Sequence, residues 1–595
     1  MADGNYRALP AIKIDGQEPP VEFMEDILQL FVEESLRQPG MFTLIIRNDY
    51  QPGRDGDRPW KYQDIIQIGK AIKIGFVSST ATSEDFKEEI KGQVLEGEIT
   101  AIEAHFTERT QAPIIIRGYD VSHRLHRGVY NRSFQNMTDS DVVKKIADEA
   151  GIPLGTVDAS GEPHEYLFQE NQTNMEFLRD RAARIGFELF VKDGKLNFRK
   201  PSAGEILELA WLQDIHSFRV RTTSAEQVKE VEVRGWDYTQ KRAIVSTAKS
   251  EKVLTETDQS SQQKGSEVST AFNGKPTNPR MVVVNPFLVS PSEADRMAQA
   301  ICNELGGQYV HADAKGEGSP NIRPGIRVRL EEMGPYTGDY YVTETRHIYT
   351  ERLYETEFSI RGLRSGNLLS TLVPPTAPRP GQTPLIGIVT DNEDPDGMGR
   401  VKVKFPTLTE DHASNWARVV SVGAADGRGL DCLPEIDDEV LVAFEHGDIH
   451  RPYVLGGVWN GEDAPPNSTS DNVQNGQVRL RTFRTRTGHQ LQFVEEDNGS
   501  KAGAYLETTG GHRLRLNDSE QFMELETSGG HRIKLTDAGR AIEVQTAGGH
   551  HLKLVDSSGS ISLKSIGSLK IEATGNIDIK AGGVITVQGA LIKLN

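Results

Sequence analysis

Cysteine is nearly missing from this chain of 595 residues: only Cys302 and Cys432 occur, far apart and in no CxxC spacing. A disulfide framework and a zinc ribbon are excluded on that count, and the chain reads as one that matures in a reducing compartment. A cationic surplus is missing too. With 67 Lys+Arg against 86 Asp+Glu the formal net charge is −19, the wrong sign for a surface that must neutralise phosphates, so nucleic acid is not expected as a partner. No uninterrupted apolar run of about 18 residues occurs, and the first twenty residues carry Arg7 and Lys13 without an apolar h-region. Neither a membrane span nor a secretory signal is expected, which places synthesis in the cytoplasm.

What is there suits a folded, multi-domain protein. Apolar residues make up 36% of the chain and 57 glycines add to them, the usual share for globular cores. The length predicts three to five domains. Short alternating bursts from about 11 to 120, such as the stretches beginning at Phe42, Ala71 and Ile114, predict a strand-rich barrel or sandwich, with one helix expected over 22–37. A helix is expected after Thr138 or Asp139, with Val142, Ile146 and Ala150 on one face and Gly151 as its stop. A second, over 171–186, places Met175, Leu178, Ala182 and Ile185 at helical spacing, and a hairpin of 187–191 with 195–198 follows across Asp193-Gly194. Residues 250–280 lack a periodic face and are expected to form a mobile loop. A further helix over 291–306 and strands through Ile360 come next.

The prolines of 370–383 predict an extended spacer and a domain boundary, and 384–465 holds about five short strands, the texture of an OB-fold barrel. Residues 466–486 read as a connector. From 487 to 595 a self-similar segment begins, with TGH at 487–489 and then GGH ending at His512, His531 and His550. The histidines His489, His512, His531 and His550 are 23, 19 and 19 residues apart, which suggests a unit of two strands and two turns.

Alternation then assigns faces. His512, Leu514 and Leu516 project together, as do His531, Ile533 and Leu535, whereas Arg513, Arg515, Arg532 and Lys534 project oppositely. The intervening strands place Met523, Leu525 and Thr527 against Glu524 and Glu526, so acidic strands neighbour basic ones and a one-residue slip of register is disfavoured. Leu514, Leu516, Leu525, Ile533, Leu535, Val544, Leu552 and Leu554 form the expected core. A ribbon this narrow cannot enclose that core alone and needs copies of itself about an axis, which predicts a homotrimer. Residues 561–595 continue the alternation with shorter turns and read as a tapering tip that includes Val587, Leu591, Ile592 and Leu594.

The chain resembles the spike proteins of contractile injection machines: the VgrG proteins of type VI secretion, the spikes of extracellular phage-tail-like particles, and the fused hub and spike of contractile phage tails. The most specific blocks lie in the barrel: Gly387-Ile-Val, the run from Asp394 to Pro406, Trp416-Ala-Arg-Val, the run from Asp437 to Asp448, and Arg451-Pro-Tyr-Val-Leu-Gly-Gly-Val-Trp-Asn-Gly. The resemblance implies a mainly β protein with an α+β hub over 1–369 that presents tandem barrels, the OB-fold barrel, and a carboxy-terminal triple-stranded β-helix needle. It also implies docking on the hexameric inner tube and the baseplate, a PAAR-type cap on the tip, and transient contact with the target membrane.

The loop from Asp391 to Gly397 has a calcium-loop look, yet the twelfth position falls on Val403, where a bidentate Glu is needed. The pair His446 and His450 lies in a glycine turn, not on a helix, and His123 and His126 read as polar surface or hub contacts. The repeat histidines admit two readings: neutral imidazoles bonded to backbone or water, or ligands of an axial metal or anion. The first is preferred because no carboxylate is written beside them. No catalytic residue and no cofactor is expected, since 461–486 is too short for an inserted enzyme domain and no effector follows Asn595. The expected role is a non-enzymatic, piercing spike, leaning toward a free phage-tail-like particle released from the cell. A cell-wall peptidoglycan hydrolase or a glycan-binding baseplate module is the alternative.

Overall fold

The computed structural model describes residues 8–50, 53–54, 59–79, 89–106, 113–237, 239–284, 288, 290–362, 382–495 and 499–594. It is mainly β, with few helices, and separates into two compact units, 1–460 and 461–595. Most of the spacer expected at 370–383 lies outside the described residues.

The first unit is organised by one antiparallel sheet of ten strands. Its amino-terminal part runs Ala8–Ile14, Ala71–Ser79, Glu89–Ala104, Ile114–Asp120, Met41–Ile46 and Ile27–Ser35. The order continues through Glu344–Thr350, Leu353–Ile360, Val310–Glu317 and Ile215–Thr222. The groups expected as two barrels therefore share a sheet, joined where Ile27–Ser35 pairs with Glu344–Thr350, from Gln29 opposite Thr350 to Ser35 opposite Glu344. Two strands that would otherwise be bare edges thereby satisfy each other. Core lies on both sides of this seam: Leu30, Phe42, Leu44, Ile74 and Ile116 on one, Ile215, Val328, Tyr340 and Phe358 on the other.

The seam corrects one expectation. The helix read over 22–37 is a single turn, Val21–Glu25, followed by the strand Ile27–Ser35. Leu30 and Val32 are buried at alternate positions, but Glu34 takes the next inward place, which masks the period of two. Glu34 is tolerated there because Arg323 grips both its oxygens, at 2.6 and 3.1 Å, while Asp193 and the carbonyls of Gln93 and Val94 take the rest of the guanidinium. Burial works against that guanidinium, but Glu34 and Asp193 outweigh it and hold it above the usual arginine range.

The helices form where capping residues and apolar stripes coincide. Asp139–Glu149 starts at Thr138, whose hydroxyl accepts from the Asp141 N–H while Asp141 reaches back, and Asn174–Ile185 starts in the same way at Thr173 with Glu176. Gly186 ends the second helix in the left-handed conformation at φ 69°. The hairpin Glu188–Lys192 with Lys195–Arg199 then closes a small core around Val142, Ile146, Leu178 and Phe198. A third helix, Pro291–Gly307, packs Ala294, Ala298 and Leu305 on Val231 and Val233.

Residues 250–280 are not a featureless loop. They contain two short helices, Asp258–Gln262 and Gly265–Val268, and bury Glu251, Thr257, Gly265 and Ser266. Polar capping took the place of an apolar stripe, so periodicity had nothing to register: Thr257 Oγ1 accepts from Ser260 N–H, and Glu251 Oε1 accepts from Ser266 N–H.

The OB barrel is closed, in the order Leu385–Asp391, Arg400–Lys404, Ala417–Val419, Pro452–Gly457, Glu439–Phe444. Val389, Val401, Val403, Val440, Val442 and Val454 fill it. It is held to the rest of its unit by polar contacts. Arg234 donates to the Pro406 carbonyl (2.9 Å), and Trp236 Nε1–H donates to the buried Glu439 (2.9 Å).

One buried histidine gives the first unit a pH dependence. His347 is enclosed in the sheet, with Nδ1 2.8 Å from the Tyr354 hydroxyl and 3.2 Å from Thr356 Oγ1. Burial, with Arg323 nearby, holds the imidazole down to about 3. Because that lies below the ordinary histidine value of about 6.5, stability is present above that pH and is lost as pH falls toward 3, where the unfolded chain takes a proton that the fold refuses. Thermal melts across this range will show a smaller acid loss for His347→Gln than for the parent; equal slopes contradict the assignment.

Candidate functional site

The second unit is built from nine five-residue strands in one antiparallel ladder, each paired with the next, from Leu480–Arg484 to Ser560–Lys564. The register is one-to-one. Leu514 lies opposite Leu525 and Arg515 opposite Glu524; Leu525 lies opposite Ile533 and Glu526 opposite Arg532; Lys534 faces Glu543, and Glu543 faces Lys553. Opposite charges thus meet on one face, and leucine, isoleucine and valine meet on the other.

The charged face is satisfied within the single chain. Glu524, only 6% exposed, sits between Arg515 (3.2 Å) and Arg532 (3.6 Å), and Glu543 takes Lys553 at 2.5 Å. Lys553, first among the groups around it, pulls the Glu543 carboxyl below its ordinary range. The apolar face is the reverse. Met523 and Leu525 are 52% and 51% exposed, and Leu514, Ile533, Leu535 and Val544 of the expected core are exposed with them, while Leu516, Leu552 and Leu554 are half-buried. Isolated exposed leucines are ordinary, but a continuous stripe along consecutive strands is the signature of a surface that another surface covers.

The turns explain the repeat. In each, a threonine four residues before the histidine closes the loop: Thr527 N–H donates to the His531 carbonyl (2.9 Å), Gly530 N–H to the Thr527 carbonyl (2.9 Å), and His531 N–H to Thr527 Oγ1 (3.2 Å). Thr485, Thr508 and Thr546 hold His489, His512 and His550 identically, each hydroxyl accepting at 3.1 Å. The glycine before each histidine has φ between 82° and 97°, which is why glycine recurs there.

The imidazoles then tie successive turns together. His489 Nδ1 accepts from Thr509 N–H (3.3 Å), His512 Nδ1 from Ser528 N–H (3.3 Å), His531 Nδ1 from Ala547 N–H (3.4 Å) and His550 Nδ1 from Ile566 N–H (3.4 Å). On the opposite edge, Asp537 N–H donates to the Gln521 carbonyl and Asp556 N–H to the Arg540 carbonyl, both at 2.9 Å. Each edge therefore carries its own line of bonds along the ladder. The threonines escaped the sequence reading although they recur at the same interval as the histidines; the signal was the full T-x-x-G-H string, of which only the end was read.

The remaining sequence candidates separate. Asp394 is occupied by Arg400, which donates from Nε (2.9 Å) and Nη2 (2.6 Å), and by the Met398 and Asp396 N–H groups, so its carboxyl is held well below the usual range. That loop is an arginine-closed turn. His446 stands in a turn at φ 54° and His450 Nδ1 lies 2.7 Å from Asp448. His123 lies 2.7 Å from Glu98, which Arg124 also grips, while burial holds the His126 imidazole down. Val587, Leu591, Ile592 and Leu594 are exposed, and no strand forms among residues 565–594. The alternation expected there finds no neighbour in the single chain, and a strand without a neighbour has no ladder to join. Among the described residues, no three or more His, Cys, Asp or Glu side chains gather to hold a metal, and no helix is long and apolar enough to cross a membrane.

Comparison with known proteins finds likeness over parts of the chain. Residues 385–459 match the family described as the type VI secretion system/phage-baseplate injector OB domain. A family described as the Alg8 N-terminal domain matches residues 81–351. The type VI secretion system spike protein VgrG3 of Vibrio cholerae is 26% identical over 208 residues, covering 32% of this chain and 20% of that protein. The spike protein VgrG1a of Pseudomonas aeruginosa is 28% identical over 182 residues, 28% of each chain. Among solved structures, the 43 kDa tail protein of prophage MuSo2 from Shewanella oneidensis aligns at 14% identity with a TM-score of 0.44, covering 59% of this chain and 98% of that one. The chain spans well under half the length of these curated relatives. A phage-baseplate injector OB domain within a mainly β chain defines the class. Within it, parts of this chain are similar to the spike proteins of type VI secretion.

The turn geometry yields a prediction. Replacing Thr485, Thr508, Thr527 and Thr546 by valine removes one acceptor per turn and lowers the ladder's stability, by about 0.5–1.5 kcal/mol for each turn, so that its thermal transition falls. Zinc added to the parent chain leaves that transition in place, because a neutral ring whose Nδ1 accepts a hydrogen bond carries its proton on Nε2 and offers no free lone pair; a zinc-dependent rise, read by far-ultraviolet circular dichroism, would mean that the rings coordinate metal.

Proposed function

We propose that this protein is the non-enzymatic hub and spike of a contractile injection machine, working as a homotrimer. The carrying observation is the ladder, whose charged face is satisfied internally while its apolar face is open along consecutive strands. Three copies wrapped about a common axis turn those faces inward and make a dry core that one ribbon cannot make. The injector OB match and the type VI spike relatives support the reading.

In this reading the ten-stranded sheet belongs to the hub and faces the hexameric inner tube and the baseplate, and the OB barrel gathers three chains. The ladder is the shaft, and residues 565–594 pair between chains to form the tip, which a PAAR-type protein caps. Axial load is spread over continuous backbone pairing. The particle assembles in the bacterial cytoplasm, is released, and touches the target membrane transiently as it pierces it. The work is mechanical and needs no cofactor.

The double substitution Leu525→Asp and Leu535→Asp tests this in the producing cell. Both side chains lie on the open face, at strand positions paired with Leu514 and Ile533 and with Met523 and Ile542. Burying carboxylates at the axis blocks assembly, so electron microscopy will show sheathed particles without a spike, or none at all, while the purified variant retains its OB and hub melting transitions. Normal, spiked and active particles would overturn the proposal.

A further inference from the structure

A cavity of about 510 Å³ opens in the first unit, between the segment that follows Ser250, the end of the helix Pro291–Gly307 and the strand beginning at Val310. Its size is that of small-molecule sites. Glu251 lines it and is only 5% exposed. One of its oxygens accepts from the Ser266 N–H at 3.2 Å; the other, Oε2, is buried and has no hydrogen-bond partner among the described residues.

That orphan oxygen is the informative feature. A buried carboxylate oxygen without a donor is costly, and natural folds leave one chiefly where something else supplies the donor. The local backbone is shaped to keep Glu251 in place: a Cβ at Gly306 would stand 2.3 Å from the Glu251 Cβ, so only glycine at that helix end admits the side chain. The thiol of Cys302, on the same helix, is raised to about 11 by burial and by the charge of Glu251.

The rest of the lining defines the other end of a ligand. Leu254 and Val310 offer apolar wall, and the exposed Lys252 and Lys264 bring cations to the same cavity. A molecule with only positive charge would meet the lysines unfavourably, and one with only negative charge would meet Glu251 unfavourably. We propose that this cavity is a binding site for a small zwitterion of the amino-acid class, a free amino acid or short peptide. Its ammonium pairs with the Glu251 carboxylate, its carboxylate faces Lys252 and Lys264, and an apolar side chain lies against Leu254 and Val310. Occupancy is independent of the spike reading, and either can fail alone.

Titration calorimetry of the full chain with L-leucine and with the dipeptide Leu-Leu, beside N-acetyl-L-leucine, tests the site. At least one ammonium-bearing probe will bind saturably, N-acetylation will weaken leucine binding at least tenfold, and Glu251→Gln will weaken the bound probe by a similar factor at an unchanged melting temperature. No saturable binding by either free-amino probe, equal binding of the acetylated compound, or a folded Glu251→Gln chain that binds as the parent does would each overturn the proposal. Should Glu251→Gln fail to fold, the acetylation comparison on the parent chain decides alone.

Discussion

The constraint on which the second unit depends is the one-to-one antiparallel register of its nine strands. Because strand side chains alternate, that register sends the leucines, isoleucines and valines of the central strands to one face and their charged residues to the other, and it places Arg515 against Glu524, Glu526 against Arg532 and Glu543 against Lys553. A slip by one position would set charge against leucine along the whole length. The threonine-closed turns fix the register at one edge, and the imidazole of each turn bonds the next turn along, so the chain specifies its own pairing before any partner arrives. What it cannot do alone is cover its leucines.

The first unit solves a different problem, that of holding many strands and a separate barrel in fixed relation. The pairing of Ile27–Ser35 with Glu344–Thr350 unites strands distant in sequence, and Glu34 on that seam is bound to Arg323, which also reaches Asp193 in the hairpin of the helical cassette. Three parts of the fold thus meet on one guanidinium. The OB barrel is anchored in the same manner, by Trp236 and Arg234 reaching Glu439 and the Pro406 carbonyl. Hydrogen bonds to buried or charged groups are directional, so they fix the orientation of the parts they join.

The legibility of the sequence followed the physics of each element. Helices announced by a capping threonine and an apolar stripe, at Thr138 and Thr173, and the hairpin across Asp193-Gly194 could be read because their signals are local. The strand Ile27–Ser35 was misread because Glu34 stands at an inward position, and its partner Arg323 lies far along the chain, beyond any local window. The order within 250–280 was missed because it rests on Thr257, Ser260 and Glu251 bonding to backbone, not on an apolar face. In the ladder, faces and register were readable from alternation and the threonines recur visibly at 508, 527 and 546, whereas the bonds they close within each turn and the ring-to-amide bonds between turns were not readable, because turn geometry, not spacing, chooses a side chain's hydrogen-bond partner.

The central claim is that the open leucine face is covered by further copies of the chain. Light scattering on the purified full-length protein, through size exclusion at working concentration, addresses it most directly. The account predicts a single species of three chain masses that persists on dilution; a well-folded species of one chain mass, with the ladder resistant to protease, would contradict it.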